Sequence, residues 1–532
     1  MNTLIKYSVL SLFSISSLIS CKNKETNGNK NPVKKDTIRD IVEEYRPAFH
    51  FTPERNWMND PNGMFYLNGT YHLYFQYYPE DIVWGPMHWG HATSKDMIAW
   101  EEQEIALEPD EKGYIFSGSA VVDSKNTSGF GEDGKTPVIA MYTYHDPEGE
   151  KQGSKDYQSQ AIAYSLDEGY NWTKYKKNPV IPNPGIQDFR DPKVIRDTIN
   201  DQWLMVLATR DRSYFYSSEN LKDWNKISEF GESTGAHDGV WECPDFFPMK
   251  VDGTGEIKWV LIQSLNPGGY NGGSGTQYFV GDFDGKNFTP ESYMTDLGEK
   301  HSFWLDFGRD NYAGVTWSNI PQKDGRTLFI GWMSNWMYAQ EVPTEKWRST
   351  MTLARELELK KMDGKYRVFS KPVRELNKYR TVIFAENKLA PGNTYTYTPE
   401  EGDLMNNEFS FNIPLNKTNK VEFALSNSKN DSLKFGLNKT DHQFYVNRKK
   451  SGITDFSDKF TQKISTAPRI LTSDTLKVQF ILDKTSIEIF YDDGATVISE
   501  IFFPNEPYTK FTIRSNANLT IQEFEISRID LD

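Results

Sequence analysis

A short pattern recurs along the first two thirds of the chain and constrains its fold more than any other feature. Each copy runs from a strand-like end, through a turn rich in Ser, Asp, Asn or Gly, to a closing aromatic residue. The copies are 93–100, 164–172, 216–224 and, more weakly, 280–288, so that the closing aromatics lie 72, 52 and 64 residues apart. Such turns occur in many β proteins, but their recurrence at blade-sized intervals favours a β-propeller. With a fifth unit around 327–332, the pattern predicts five blades.

The chain changes character after Arg355. A charged stretch and a segment containing Pro372 and Pro391 are followed by strands of regular period-two alternation, such as 476–483 and 486–491. Alternation with one polar face, over many strands, is typical of an antiparallel sandwich. The predicted architecture is therefore all-β, with a five-bladed β-propeller over 45–356, a linker over 357–385 and a β-sandwich over 386–532.

Composition narrows the possible partners. The 532 residues include 60 Lys+Arg and 74 Asp+Glu, for a formal net charge of −14. This balance argues against nucleic acid as a partner, because binding nucleic acid requires a basic face. Two Cys residues exclude a disulfide scaffold and a thiolate-rich metal site, and no other pattern predicts a metal or a cofactor. Aromatic residues make up 14% of the chain, which suits a β protein that stacks neutral ligands such as sugars.

The N-terminus predicts export. Lys6 and the apolar run 9–15 have the layout of a signal peptide, and the run is too short to span a membrane. The next segment, Leu-Ile-Ser-Cys at 18–21, resembles a bacterial lipobox; a plain secretory signal with an incidental Cys is the alternative. Residues 21–44 are polar and predict a disordered tether. We therefore expect a signal peptide over 1–20, lipidation of Cys21, and an exported lipoprotein that is anchored in the outer membrane only through its lipid.

Three carboxylates stand out by their settings. Asp60 lies in the segment 57–63, Trp-Met-Asn-Asp-Pro-Asn-Gly. Asp191 follows Arg190, whose cation is expected to lower the pKa of Asp191 and keep it ionised. Glu242 stands between a tryptophan and a cysteine, and such low-polarity surroundings suit the protonated form of a general acid. An ionised carboxylate and a protonated one are the pair that cleaves glycosidic bonds. Each motif taken singly could also be an ordinary turn.

Taken together and in order, these motifs resemble the signature of glycoside hydrolase family 32, the β-fructofuranosidases, which include invertases, inulinases and levanases. The matching segments are 57–63, 116–119, 190–192, 242–244, 305–310 and 331–336. The resemblance thus covers about residues 45–360, and the C-terminal strands resemble the sandwich domain of the family.

The resemblance implies a propeller whose central funnel holds a fructosyl unit. Asp60 would be the nucleophile that forms a covalent fructosyl-enzyme, and Glu242 would be first the acid and then the base that activates water. Asp191 would stabilise the oxocarbenium-like transition state through sugar hydroxyls. Retention of configuration implies carboxyl groups about 5–5.5 Å apart. The positions that match the subsite for the terminal fructose are Asn59, Gln76, Trp84, Phe116, Ser117, Arg190 and Trp336, with Trp332 as the alternative to Trp336.

These features predict a retaining β-fructosidase that hydrolyses levan, inulin or fructo-oligosaccharides, with exo action that releases fructose. The alternatives are an endo-levanase, a fructosyltransferase on the same scaffold and a non-catalytic fructan-binding lipoprotein. The presence of both Asp60 and Glu242 argues against the last of these. The choice between β-2,1 and β-2,6 linkages depends on rim loops outside the motifs and stays open, as does the oligomeric state.

Overall fold

The structure, a computed structural model, describes residues 43–531. The predicted signal peptide, the lipidation site Cys21 and nearly all of the predicted tether lie outside these residues. Within them the secondary structure is almost entirely β, with one short α-helix, α1 (Pro147–Lys151), so the all-β prediction is confirmed. No helix in this range is long and apolar enough to cross a bilayer.

Five sheets follow one another along the chain. The first three contain β1 (Asn56–Leu67), β2 (Thr70–Tyr78), β3 (His88–Ser94) and β4 (Trp100–Leu107); β5 (Tyr114–Val122), β6 (Val138–His145), β7 (Gln158–Ser165) and β8 (Thr173–Lys174); and β9 (Phe189–Asp197), β10 (Gln202–Thr209), β11 (Ser213–Ser218) and β12 (Asn225–Phe230). The fourth contains β13 (Val240–Lys250), β14 (Ile257–Asn266), β15 (Gly275–Phe283) and β16 (Phe288–Pro290). The next strands are β17 (Tyr312–Thr316), β18 (Thr327–Met333), β19 (Trp347–Arg348), β20 (Thr350–Met351), β21 (Arg355–Met362) and β22 (Lys365–Pro372).

The first strands of the five sheets surround a common axis. β1, β5, β9, β13 and β17 contact one another in this order, and β17 contacts β1 again. The fifth sheet has the order β17-β18-β21-β22, whereas β19 leaves it and pairs in parallel with β1. A late segment of the chain thereby closes the ring on its first strand. This arrangement confirms the five-bladed β-propeller.

The recurring sequence pattern corresponds to the turn between the third and fourth strands of the first four blades. In these turns a side-chain oxygen accepts a hydrogen bond from a backbone N–H further along. Asp96 Oδ1 accepts one from the Ala99 amide at 3.0 Å, and Asn220 Oδ1 accepts one from the Asp223 amide at 2.9 Å. Polar residues are therefore repeated at this position because each turn needs an acceptor for its own backbone.

The fifth blade departs from the prediction. Residues 327–332, predicted to be a fifth turn unit, form most of its second strand, β18. The predicted linker over 357–385 is also wrong in its first half, because β21 and β22 are the outer strands of this blade and extend the propeller to Pro372. In β21, buried Leu357 and Leu359 alternate with half-buried charged residues. This is a half-buried strand, although its charges alone suggest a linker.

The remaining strands form the second domain. They are β23 (Arg380–Tyr397), β24 (Asn407–Pro414), β25 (Lys420–Ser426), β26 (Ser432–Asn438), β27 (Gln443–Lys450), β28 (Ser465–Pro468), β29 (Thr475–Leu482), β30 (Ser486–Tyr491), β31 (Thr496–Ile501) and β32 (Lys510–Ile529). The first part of β32 pairs with β25 and its last part with β24, while β23 follows its other edge. Two layers result, and they pack through rings such as Phe435 and Phe480, 5.1 Å apart. The sandwich prediction is confirmed.

A buried charge network joins the propeller to the sandwich. Arg355 of the propeller donates to Asp306 at 2.9 Å and to Glu488 of the sandwich at 3.0 Å. His50, which precedes β1, bonds Asp483 at 2.8 Å through Nδ1 and Glu488 at 2.9 Å through Nε2. Buried charges persist only when they are paired, so this network fixes the position of one domain on the other.

The network predicts a pH dependence of stability. Burial alone lowers the pKa of His50, but the bonds to Asp483 and Glu488 outweigh it and raise this pKa to about 9. Because this value exceeds that of the unfolded chain, the stabilisation is complete below about pH 6.5 and is lost as the pH rises through about 9. We expect chemical unfolding to show a loss of about 3 kcal/mol over that interval. His50→Gln should lack this component, and an identical pH dependence in both proteins would contradict the assignment.

Candidate active site

The first strand of every blade has an irregularity near its N-terminal end. The register shifts lie at Met58/Pro61, Phe116/Gly118, Arg190/Lys193, Glu242/Asp245 and Tyr312/Val315. Such bulges redirect side chains and are common next to active sites. Here they turn polar side chains towards the propeller axis, and three of the bulged residues, Asp191 (φ 63°), Cys243 (φ 44°) and Ala313 (φ 53°), have left-handed backbone conformations. Strain of this kind persists only where the surrounding structure enforces it.

Asp60 is held by donors on both carboxylate oxygens. Asn59 Nδ2 donates to Oδ1 at 2.9 Å, and Ser117 Oγ donates to Oδ2 at 2.8 Å. The Cys243 thiol also donates to Oδ2, at 3.3 Å. Asn59 is fixed in turn, because its Oδ1 accepts a hydrogen bond from Trp57 Nε1 at 2.7 Å. Three donors thus fix the orientation of the Asp60 carboxylate.

Asp191 differs from the prediction. Its pKa is not lowered but raised to about 7, because burial dominates and the carboxylates of Glu242 and Asp60 add to it, against the opposing effect of Arg190. The guanidinium of Arg190 lies 3.9 Å from Asp191 Oδ2, but only 2.5 Å from Asp188 and 2.8 Å from Glu242. Adjacency in sequence therefore does not lower the pKa of Asp191 as expected, since the Arg190 guanidinium binds Asp188 and Glu242 more closely.

Glu242 is bound by two donors. Arg190 Nη2 donates to Oε1 at 2.8 Å, and the Tyr312 hydroxyl donates to Oε2. The expected low-polarity environment of Glu242 is thus wrong, since a guanidinium and a phenol bind its two oxygens. The side chain keeps 21% exposure, which leaves it open to the cavity.

All ten predicted catalytic and substrate-binding residues line one cavity of about 250 Å³. These residues are Asn59, Asp60, Gln76, Trp84, Phe116, Ser117, Arg190, Asp191, Glu242 and Trp336. Trp84 is 37% exposed at the rim, and its ring meets Phe116 edge-on at 6.1 Å. Trp332, the alternative to Trp336, is fully buried behind Trp336, and the centroids of the two rings lie 5.0 Å apart. The arrangement combines three carboxylates with aromatic walls, which suits a sugar ring.

Larger grooves of about 1050 Å³ and 600 Å³ open elsewhere in the described part of the chain. Neither is lined by any of the three predicted carboxylates. The volume of a cavity does not by itself identify an active site, because catalysis requires ionisable groups that converge on one point. We therefore assign the candidate active site to the smaller cavity.

Five further residues line the cavity and escaped the sequence analysis. They are His145, Glu150, Tyr157, Gln158 and Asp188. His145 stacks on Phe116 at 4.2 Å, and burial, followed by the charge of Arg190, lowers its pKa to about 4. Asp188 could have been found, because it stands two residues before Arg190. His145 and Gln158 face each other across β6 and β7, and no motif in the sequence reveals that pairing.

Comparisons with known proteins agree with this geometry. Residues 50–372 match the N-terminal domain of glycosyl hydrolases family 32, and residues 375–528 match the C-terminal domain of that family. A levanase of Bacillus subtilis is 46% identical over 466 residues, which are 87% of this chain and 67% of the levanase. An extracellular exo-inulinase of Aspergillus niger is 40% identical over 491 residues, which are 87% of this chain and 90% of that protein.

Two solved structures are also similar. The crystal structure of the exo-inulinase from Aspergillus awamori has a TM-score of 0.83 and 36% identity, and the match covers 91% of this chain and 98% of that one. The β-fructofuranosidase of Schwanniomyces occidentalis, complexed with fructosyl-erythritol, has a TM-score of 0.80 and 33% identity, with 93% and 99% coverage.

Proposed function

The chain belongs to glycosyl hydrolases family 32 and is a glycoside hydrolase, and on this premise we propose that it is a retaining β-fructosidase that hydrolyses fructans from their ends. The relatives named levanase and exo-inulinase support fructan as the substrate. The observation that carries the proposal is the convergence of Asp60, Asp191 and Glu242 in one cavity with aromatic walls.

The proposed reaction has two steps. In the first, Asp60 attacks the anomeric carbon while Glu242 gives its proton to the leaving oxygen, so that the glycosidic bond breaks and an ester forms. In the second, Glu242 takes a proton from water as the water oxygen bonds the anomeric carbon and the ester breaks. Asp191 and Arg190 bind sugar hydroxyls close to the charge that develops in each step.

The remaining cavity residues bind the terminal fructose in this proposal. Asn59 and Ser117 hold the nucleophile, and Gln76 supplies an amide beside it. Trp84, Phe116 and Trp336 form apolar walls against the faces of the ring. A small cavity with walls on several sides accepts a chain end more readily than the middle of a polymer, which supports exo action.

Early products test the proposal. The enzyme is incubated with inulin, levan and sucrose, and the first products are separated by chromatography. We expect free fructose from the first minutes onward, and the ratio of rates on inulin and levan assigns the linkage preference. Asp60→Asn enzyme purified in the same way controls for contaminating activity. Longer oligosaccharides as first products would contradict exo action, and sugar transfer products at high sucrose concentration would indicate a fructosyltransferase.

Export through a lipid anchor at Cys21 is part of the proposal. Its support is the lipobox-like segment 18–21 and the extracellular relatives. In a bacterial host, the wild type should incorporate labelled fatty acid and Cys21→Ala should not. Equal labelling of the two proteins would contradict the anchor.

A further inference from the structure

Tyr312 contacts the proposed acid but belongs to none of the motifs that led to the site. It begins β17, at the bulge of the fifth blade, and its hydroxyl donates to Glu242 Oε2. The side chain is 1% exposed, and its ring meets Trp332 edge-on at 6.4 Å. Tyr312 and Arg190 therefore hold Glu242 from the two neighbouring blades, since β17 and β9 both contact β13.

The two oxygens of Glu242 have different partners. Oε1 accepts from Arg190, and a guanidinium can only donate hydrogen bonds. Oε2 accepts from Tyr312, and a phenol can either donate or accept. A proton on Oε1 would compete with the Arg190 N–H. A proton on Oε2 lies beside the Tyr312 hydroxyl, which can accept a hydrogen bond as well as donate one. The transferable proton therefore belongs on Oε2.

We propose that Tyr312 is a positioning residue which keeps the acid proton of Glu242 on Oε2 and stabilises the carboxylate that remains after this proton has moved to the leaving oxygen. The inference rests on the proposed function, because it assigns the acid role to Glu242. As the proton moves to the glycosidic oxygen, the charge on Glu242 increases and the Tyr312 O–H bond to Oε2 strengthens. When Glu242 later takes a proton from water, the same bond weakens again.

Among the described residues, the other ionisable groups around Glu242 do not donate a hydrogen bond to its Oε2 atom. Those that face it from the neighbouring strands and from its own strand are Asp60, Asp188, Arg190, Asp191 and Cys243. The Cys243 thiol is directed to Asp60 and Asp191 instead, at 3.3 and 3.6 Å. Burial, followed by the neighbouring carboxylates, raises the pKa of Tyr312 well above its usual value, so Tyr312 remains a donor throughout the working range.

The test is the pH profile of kcat/KM in Tyr312→Phe, measured on the substrate that the wild type hydrolyses. Loss of the donor disfavours the ionised carboxylate of Glu242. The alkaline limb of the profile, where the acid Glu242 loses its proton, should therefore move to higher pH by about one unit. The acid limb should move less, since Tyr312 makes no hydrogen bond to Asp60. Tyr338→Phe is the matched control, because Tyr338 is equally buried and donates to a carboxylate, Asp310, at 2.6 Å outside the cavity. It should lower the melting temperature and leave both limbs in place.

A second variant moves the limb the other way. Site-specific 3,5-difluorotyrosine at position 312 keeps the ring but donates more strongly, so the alkaline limb should move to lower pH. It also carries the test if Tyr312→Phe does not fold. An alkaline limb that does not move, or that moves in the same direction in both variants, would contradict the role of Tyr312. The proposed function would still stand in that case, because the wild type remains active. A wild type without hydrolysis would instead contradict the proposed function.

Discussion

Asp60→Asn should lower kcat on inulin and levan by about 10⁴-fold or more, while binding of a fructo-oligosaccharide remains measurable. The amide keeps the shape of the side chain but cannot form the ester that the proposed mechanism needs. Its neighbours can adapt, because the Ser117 hydroxyl can turn from donating to accepting, and Asn59 can still donate to the remaining oxygen. Calorimetric titration with the oligosaccharide, alongside initial rates, separates loss of chemistry from loss of the site.

Ser117→Ala is the matched control for this variant. It removes one hydrogen bond to Asp60 but leaves the carboxylate in place, so we expect a loss of only about tenfold in kcat. If Asp60→Asn lost no more activity than Ser117→Ala, Asp60 could not be the nucleophile.

Glu242→Gln should lower kcat/KM for sugar leaving groups by about 10²–10⁴-fold, the usual contribution of a general acid. The amide oxygen can still accept from Arg190, and the Tyr312 hydroxyl can accept from the amide nitrogen, so the site should keep its geometry. An activated substrate such as p-nitrophenyl β-D-fructofuranoside needs no proton to leave, and its first step should suffer much less. Initial rates on the two substrates measure this difference.

Azide provides the second readout for this variant. It needs no general base, so it should restore turnover of the activated substrate and give a fructosyl azide of retained configuration. An equal loss on both leaving groups, without azide rescue, would contradict the acid/base role of Glu242.

Much of the fold could be predicted because its repeats are local. The turns near Asp96 and Asn220 need polar acceptors within a few residues, and this requirement is visible in the sequence. The end of the propeller could not be predicted in the same way. β21 resembles a charged linker until its pairing with β18 is known, and that pairing joins residues such as Thr327 and Leu357, whereas its hairpin with β22 is local.

The candidate site shows the same limit. Most residues assigned by motif line one cavity because four of the motifs, 57–63, 116–119, 190–192 and 242–244, include the bulge of a first strand. The electrostatics did not follow from sequence neighbours, since Arg190 lies closer to Glu242 than to the adjacent Asp191. Tyr312 was missed because it belongs to none of the motifs, and its contact with Glu242 joins two neighbouring blades through positions 70 residues apart in the chain.

The most direct test of the central claim is to trap the covalent intermediate. Glu242→Gln enzyme is mixed with the activated fructoside, quenched in acid and digested, and the peptides are mapped by mass spectrometry. The account predicts a fructosyl ester on the peptide that contains Asp60, at the side chain of Asp60. An ester on Asp191, or no ester together with a first product of inverted configuration, would contradict it.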